Sequence, residues 1–380
     1  MRVFIPPRHL YQYWVLTTKG CNLKCKYCFE EEKIKGSKPS YKLEDLVRII
    51  GLHNPYAVLG VERQSAKNGV VFTGGEPLMN QEFIKEFILK TKGGLRLEYV
   101  LQTNGTLLNK IDPYVLENLD FILVSVDGNQ EIHDRNRGKG TFDTIVRNIR
   151  GIKPKYKGQI AARITATVDK DFSIFDSIMA LKDDFDNFHW QLETPIAHSV
   201  TEKDRASFIE RYRSDMGELV DYWISSLQNG AVKNIIPFQS VATPVRNSGL
   251  RCGAGTTLVV VDLDGECYGC DTMVGDPRAR IGSIYEGFET ERLSFQLAMN
   301  CSGNPLTCKD EVYKEKPGCM KGCAGCSWEE SNEFYCSTVK ILIDAAMSRK
   351  DFINDLLDSK KISPENVFMG RIALYTEQIP

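Results

Sequence analysis

Three cysteines, Cys21, Cys25 and Cys28, stand close together in the stretch "GCNLKCKYCF" (20–29). Thiolates are soft ligands, suited to zinc or to iron–sulfur clusters. A closed structural zinc site takes four ligands, and so does an ordinary [4Fe–4S] cube. This loop supplies three. Three thiolates on four irons leave one iron open to a small molecule. His9 completes a zinc site only by folding back from ahead of the first strand.

The other nine cysteines all fall between positions 252 and 336. In a reducing compartment such clusters bind metal more often than they form disulfides. Two separate metal-bearing regions are therefore expected. "TLVVVDLDGECYGCD" (257–271) reads as a hairpin, and the cysteine-rich loops beyond it bury too little apolar surface to hold together without metal. Taken alone, nine cysteines serve two zinc sites as readily as two cubes.

The elements that position these thiols come from the pattern between the clusters. Short β-rich runs at 13–18, 69–74, 96–104, 120–127, 159–168 and 188–194 alternate with amphipathic segments near 42–51, 81–92, 113–119, 142–153 and 173–183. Several runs are apolar on both faces, as parallel strands under helices are. The expectation is an α/β fold: a partial (β/α)6 barrel with its chemistry at the carboxyl ends of the strands. The three-cysteine loop follows the first strand directly. Expected boundaries are 1–200 for the barrel, 201–249 for a helical connector, 250–345 for the cysteine-rich domain and 346–380 for a helical tail. The chain has 380 residues, 42% of them apolar, and a net charge of −2, so bulk electrostatics draws it neither to nucleic acid nor to a membrane. It shows neither a signal peptide nor a membrane span, and a cytoplasmic location is expected.

Four segments together resemble the radical S-adenosylmethionine (SAM) enzymes: the cysteine loop with Tyr27 before its last cysteine, "TGGEP" (73–77), "LQTNGTL" (101–107) and "VSVDGNQEIHDRNRGKGTFD" (124–143). The resemblance implies a [4Fe–4S] cluster on Cys21, Cys25 and Cys28, with its open iron chelated by SAM. It also implies SAM contacts from Tyr27, Gly74, Gly75, Glu76, Pro77, Thr103, Asn104, Ser125 and Arg163. Gly74 and Gly75 would let the backbone approach SAM, and Glu76 would accept from the methionine ammonium. Ser125 would hold the carboxylate or ribose and Arg163 the carboxylate. Set against these roles, Ser125 would be a turn cap, Arg163 a solvated strand residue and Asn104 a left-handed turn residue. His133, Arg135 and Arg137 are expected only to tie their loop together by charge pairing.

Cys252, Gly265 and Cys270 resemble the opening of the SPASM domain, which houses two auxiliary [4Fe–4S] clusters in peptide-modifying radical SAM enzymes. That resemblance assigns Cys252, Cys270 and Cys323 to one cluster and Cys301, Cys308, Cys319 and Cys336 to the other. Cys267 or Cys326 supplies the missing fourth ligand, or that cluster keeps an open iron. The pair Cys301 and Cys308 departs from the family spacing. Asp271 matches the general base of the anaerobic sulfatase-maturating enzymes, with a solvated aspartate as the plainer reading.

The implied function is an oxidoreductase that abstracts hydrogen from a peptide residue, fed by a low-potential donor such as ferredoxin or flavodoxin. Maturation of a ribosomally made precursor peptide, giving a thioether or other crosslink, is placed slightly ahead of formylglycine generation on a sulfatase. Only twelve residues precede the first strand, so a leader peptide is expected to bind elsewhere or to a separate protein. The contrasting expectation is a non-catalytic iron–sulfur electron carrier, which has no use for "GGEP" or an open three-cysteine site.

Overall fold

A computed structural model describes residues 11–28, 38–52, 67–169, 171–193, 200–243, 253–254, 257–289, 313 and 332–376. They fall into two compact units interleaved along the chain. One is drawn from Met1–Val124, Thr144–Gln159 and Cys252–Asn304, the other from Ser125–Asp143, Ile160–Arg251 and Pro305–Pro380.

In the first unit β1 (Gln12–Thr18), β2 (Asn68–Gly74), β3 (Leu97–Thr103) and β4 (Phe121–Ser125) lie side by side and parallel. Val70, Val71 and Phe72 are buried in succession, which requires cover on both faces of β2. The helix Gln81–Thr91 supplies part of that cover with Ile84, Phe87 and Ile88, spaced to lie on one helical face. Phe87 meets Phe72 edge-on at 5.5 Å between ring centroids.

In the second unit β5 (Gln159–Ala166), β6 (Asn187–Leu192) and the short β7 (Asn234–Ile235) are parallel. The expected helical connector begins with a long helix, Glu202–Gln228. It opens with a capping box in which Thr201 and Asp204 satisfy each other's backbone N–H groups. Its buried Tyr212 accepts the Trp190 indole N–H at 3.1 Å. Helices Asn332–Met347, Lys350–Asp358 and Pro364–Val367 follow.

The six strands of the expected partial (β/α)6 barrel are thus all present, and neither run of strands closes on itself. The hairpin is present too, as β8 (Leu258–Val261) and β9 (Glu266–Tyr268). What periodicity did not show is that β8 pairs in parallel with β1, Gln12 opposite Leu258 through Val15 opposite Val261. With β10 (Arg280–Ser283) and β11 (Gly287–Phe288) it extends the first unit's sheet in the order β11-β10-β9-β8-β1-β2-β3-β4. The fourth expected strand ends at Ser125, and the stretch behind it forms a helix, Gln130–Arg137, where only a loop was expected. The Asn129 side chain caps that helix by accepting from Ile132 N. Cys252, Cys301, Cys308, Cys319, Cys323 and Cys326 lie outside the described residues. No described helix is long and apolar enough to cross a membrane.

Candidate active site at the three-cysteine loop

Cys21, Cys25 and Cys28 are half-buried on the loop that leaves β1. The loop begins against the end of β2. Gly75 N donates to Thr18 O at 2.9 Å, and Glu76 N donates to Gly20 O at 2.8 Å. This approach is possible only because residues 74 and 75 lack side chains. A Cβ on Gly74 would stand 2.2 Å from Thr18 O, and one on Gly75 would stand 2.2 Å from Gly20 O. Gly74 also has φ of 128°, a conformation closed to other residues without strain. The two glycines therefore admit the start of the cysteine loop, a role additional to any approach of ligand.

Glu76 is fully buried and ties the ends of β2 and β3 together. Its Oε1 accepts from Leu78 N at 3.1 Å and from the Thr103 hydroxyl at 2.7 Å, and its Oε2 accepts from Asn104 N at 2.8 Å. Burial raises its pKa to about 7, against the pull of those three donors. A carboxylate has about four acceptor positions, so the protein itself occupies most of them. Pro77, also buried, starts the short turn Pro77–Asn80 behind it.

Asn104 is not a left-handed turn residue. Among the described residues only Lys360 and glycines have positive φ, and Gly105, at 77°, takes that conformation. The Asn104 side chain instead reaches the cysteine loop, with Nδ2 2.9 Å from Asn22 Oδ1 and 3.9 Å from Cys21 Sγ. Leu23 N also donates to Cys21 Sγ, at 3.4 Å. Burial raises the Cys21 thiol pKa, with Leu23 N and Asn104 opposing it. Sequence reasoning missed Asn22 and Thr106. The only signal was a pair of small polar residues inside two motifs.

Ser125 ends β4, half-buried, and its hydroxyl bonds to no described residue, so it is not a turn cap. Arg163 is no solvated strand residue either. It is buried on β5, and its Nε and Nη2 donate to Gln191 Oε1 at 3.2 and 2.7 Å. Arg137 grips the buried Asp127 with two bonds, of 2.9 and 3.0 Å. Arg135 pairs with Asp169 at 3.0 Å, so the two arginines make the expected charge pairs, from a helix and not a loop, while His133 Nδ1 instead accepts from Asp127 N at 3.1 Å.

On the hairpin, Cys267 is enclosed in the sheet, and burial pushes its thiol pKa up strongly. Cys270 stands apart from it in chemistry, with its sulfur 3.3 Å from the Thr272 hydroxyl and 3.9 Å from Asp271 Oδ1. Asp271 is half-buried and accepts from Thr272 N at 2.9 Å. Cys336 is exposed in the first turns of helix Asn332–Met347. Asp262 holds Lys19, two residues before the first cysteine, at 2.9 Å, tying the hairpin to the loop.

Among the described residues no three His, Cys, Asp or Glu side chains converge to hold one metal ion. Thiolates that each bind a different iron of a cube need not meet at one point. Three half-exposed thiols within residues 19–28, a stretch with neither carboxylate nor imidazole, fit a sulfur-ligated cluster with an open corner.

The radical SAM superfamily model matches residues 15–166. The chain carries a radical SAM domain. Beyond this radical SAM core, the chain is 27% identical to a cysteine-type anaerobic sulfatase-maturating enzyme of Clostridium perfringens, over 87% of this chain and 95% of that one. A serine-type counterpart from Bacteroides thetaiotaomicron is 26% identical over 76% of this chain and 77% of its own length. In fold it is similar to the structure of anSMEcpe with bound AdoMet and Cp18Cys peptide, with a TM-score of 0.69 and 23% identity, over 91% of this chain and 99% of that one. Streptococcus suis SuiB bound to S-adenosylmethionine gives a TM-score of 0.54 at 13% identity, over 84% and 73%. The chain, with its radical SAM domain, is thus related to sulfatase maturases and shares its fold with SuiB, and that domain implies a [4Fe–4S] cluster and SAM.

Proposed function

We propose that the protein oxidises a side chain of a peptide or protein by hydrogen-atom abstraction. The observation that carries this reading is the convergence of Thr18–Gly20, Gly74–Glu76 and Thr103–Asn104 on the three-cysteine loop, through contacts that substituted glycines would forbid. Cys21, Cys25 and Cys28 would hold the cluster. The backbone of Gly74–Pro77 together with Tyr27, Thr103, Ser125 and Arg163 would hold SAM. When bound and reduced, the cluster supplies the electron that cleaves SAM to methionine and the 5′-deoxyadenosyl radical. Glu76 would act by bracing Thr103 and Asn104, and Ser125 offers a hydroxyl that no described residue bonds.

Abstraction leaves a carbon radical on the substrate residue. Asp271 would take a proton from that residue, and the auxiliary clusters, when bound, would supply an acceptor for one electron, so the side chain would be oxidised by two electrons in all. We assign two auxiliary [4Fe–4S] clusters, three cubes in total. Cys267 or Cys326 would supply the fourth ligand beside Cys252, Cys270 and Cys323. Ferredoxin or flavodoxin would supply the electrons.

For the substrate, our reading puts a sulfatase cysteine or serine first, reversing the order the motifs alone suggested; likeness to sulfatase maturases over most of the chain supports it. The crosslinked precursor peptide that the motifs suggested is the second reading. Anaerobic reconstitution followed by SAM and dithionite tests the chemistry. The wild-type chain should form 5′-deoxyadenosine and Cys25→Ala should not. Absence of the nucleoside from fully iron-loaded wild-type protein defeats the reading in favour of an electron carrier. Mass spectra of a sulfatase peptide carrying its target cysteine then separate formylglycine from no reaction.

A further inference from the structure

Asn22, Asn104 and Thr106 form a closed ring of hydrogen bonds. Asn104 Nδ2 donates to Asn22 Oδ1 at 2.9 Å, Asn22 Nδ2 to the Thr106 hydroxyl at 2.8 Å, and that hydroxyl to Asn104 Oδ1 at 2.6 Å. The ring runs in one sense, and Thr106 N sets it. This backbone N–H can only donate, and it points at Asn104 Oδ1 from 3.0 Å. The amide oxygen of Asn104 is therefore committed to Thr106, and its amino group must face the cysteine loop. One of its two hydrogens goes to Asn22 and the other lies toward Cys21 Sγ, 3.9 Å away. Asn148 holds the same turn from behind, its Nδ2 donating to Gly105 O and Thr106 O at 3.0 Å each. Bonds that follow one another around a ring polarise each other, so the arrangement holds the donor more firmly than one bond would.

From this geometry we infer that Asn104 is a positioning residue that tunes the reduction potential of the cluster on Cys21, with Asn22 and Thr106 fixing its orientation. The inference rests on the reading of this loop as a cluster site. Reduction adds negative charge to a cube and its thiolates, and an N–H aimed at one sulfur stabilises the reduced form more than the oxidised. Loss of the Asn104 donor should therefore lower the midpoint potential. Leu23 N supplies the same sulfur from the backbone and cannot be removed by substitution, so the Asn104 contribution adds to a fixed background.

The test is a redox titration of the full chain, anaerobically reconstituted, followed by the EPR signal that changes on adding SAM. That signal separates the loop cluster from any other. Asn104→Ala should leave iron content unchanged and reduce the reduced-to-oxidised ratio at a given potential about tenfold, ~59 mV for one electron. Asn104→Asp, which puts an acceptor and a charge where the donor was, should lower it further. Thr106→Val, which keeps the amide and the Thr106 N–H that orients it but removes the hydroxyl link of the ring, should fall between wild type and Asn104→Ala. If Asn104→Ala binds no iron, Thr106→Val and Asn22→Ala decide: a lowered midpoint supports the assignment and a wild-type midpoint overturns it. A wild-type protein without any SAM-responsive signal would instead overturn the reading of the loop itself.

Discussion

Glu76 and Thr103, from the ends of neighbouring strands, are joined by a 2.7 Å hydrogen bond whose carboxylate is fully buried. The acid that the motif offers to a ligand is chiefly a brace between strand ends. Its pKa, raised to about 7 by burial, means that the folded chain holds a proton there that the unfolded chain releases near pH 4.5. The folded state therefore binds more protons between these values, and the contribution of Glu76 to stability, complete below about pH 4.5, declines as pH rises through about 7. Between pH 4.5 and 8, Glu76→Gln should remove a pH-dependent loss of up to about 3 kcal/mol, visible in denaturant unfolding as a stability difference from wild type that grows as pH rises from 4.5 to 7. An unchanged slope would show the carboxyl to be ordinary.

His133 has the opposite sign. Burial lowers its pKa to about 4, so the unfolded chain binds the extra proton below pH 6.5 and stability falls as pH drops toward 4. In the wild-type chain this trend offsets that of Glu76 between pH 4.5 and 6.5, and neither shows alone. Relative to wild type, His133→Gln should therefore gain stability as pH is lowered from 6.5 to 4, by about 3 kcal/mol over the interval. Unfolding midpoints for both proteins across this range check it, and parallel curves would contradict the lowered value.

Arg137 and Asp127 form a buried pair in which removal of the cation strands a carboxylate. Arg137→Met should cost about 3–5 kcal/mol, and the double variant Arg137→Met with Asp127→Asn should recover part of that loss. Equal losses in the single and double variants would mean that the charge itself is immaterial.

Two glycines that look alike in the sequence should respond oppositely. Gly75→Ala drives a Cβ to 2.2 Å from Gly20 O, and it should lower the melting temperature and the iron bound per chain. Gly217 is exposed in helix Glu202–Gln228 with open space around it, and Gly217→Ala should stabilise by about 0.5–1 kcal/mol. Calorimetry on both variants decides; equal behaviour would discredit the close approach of β2 to the loop.

Asp271→Asn should leave 5′-deoxyadenosine formation intact while abolishing the oxidised peptide. Product at the wild-type rate would remove Asp271 from the mechanism.

Local order along the chain determined much of this protein. A three-thiol loop directly after a strand, six apolar runs separated by helical segments, and a capped long helix all depend on neighbours in sequence, so periodicity and spacing disclose them. Tertiary structure decided the rest. Asn104 meets Asn22, Gly75 meets Gly20, Glu76 meets Thr103, and β8 comes to lie beside β1. Each of these depends on strand register across the sheet, and a chain's own periodicity does not specify which residue of a distant strand it will face. The same reason separates the two kinds of site residue. The thiols were legible because their geometry is set within eight positions, whereas the groups that hold and tune them are brought there only by the fold.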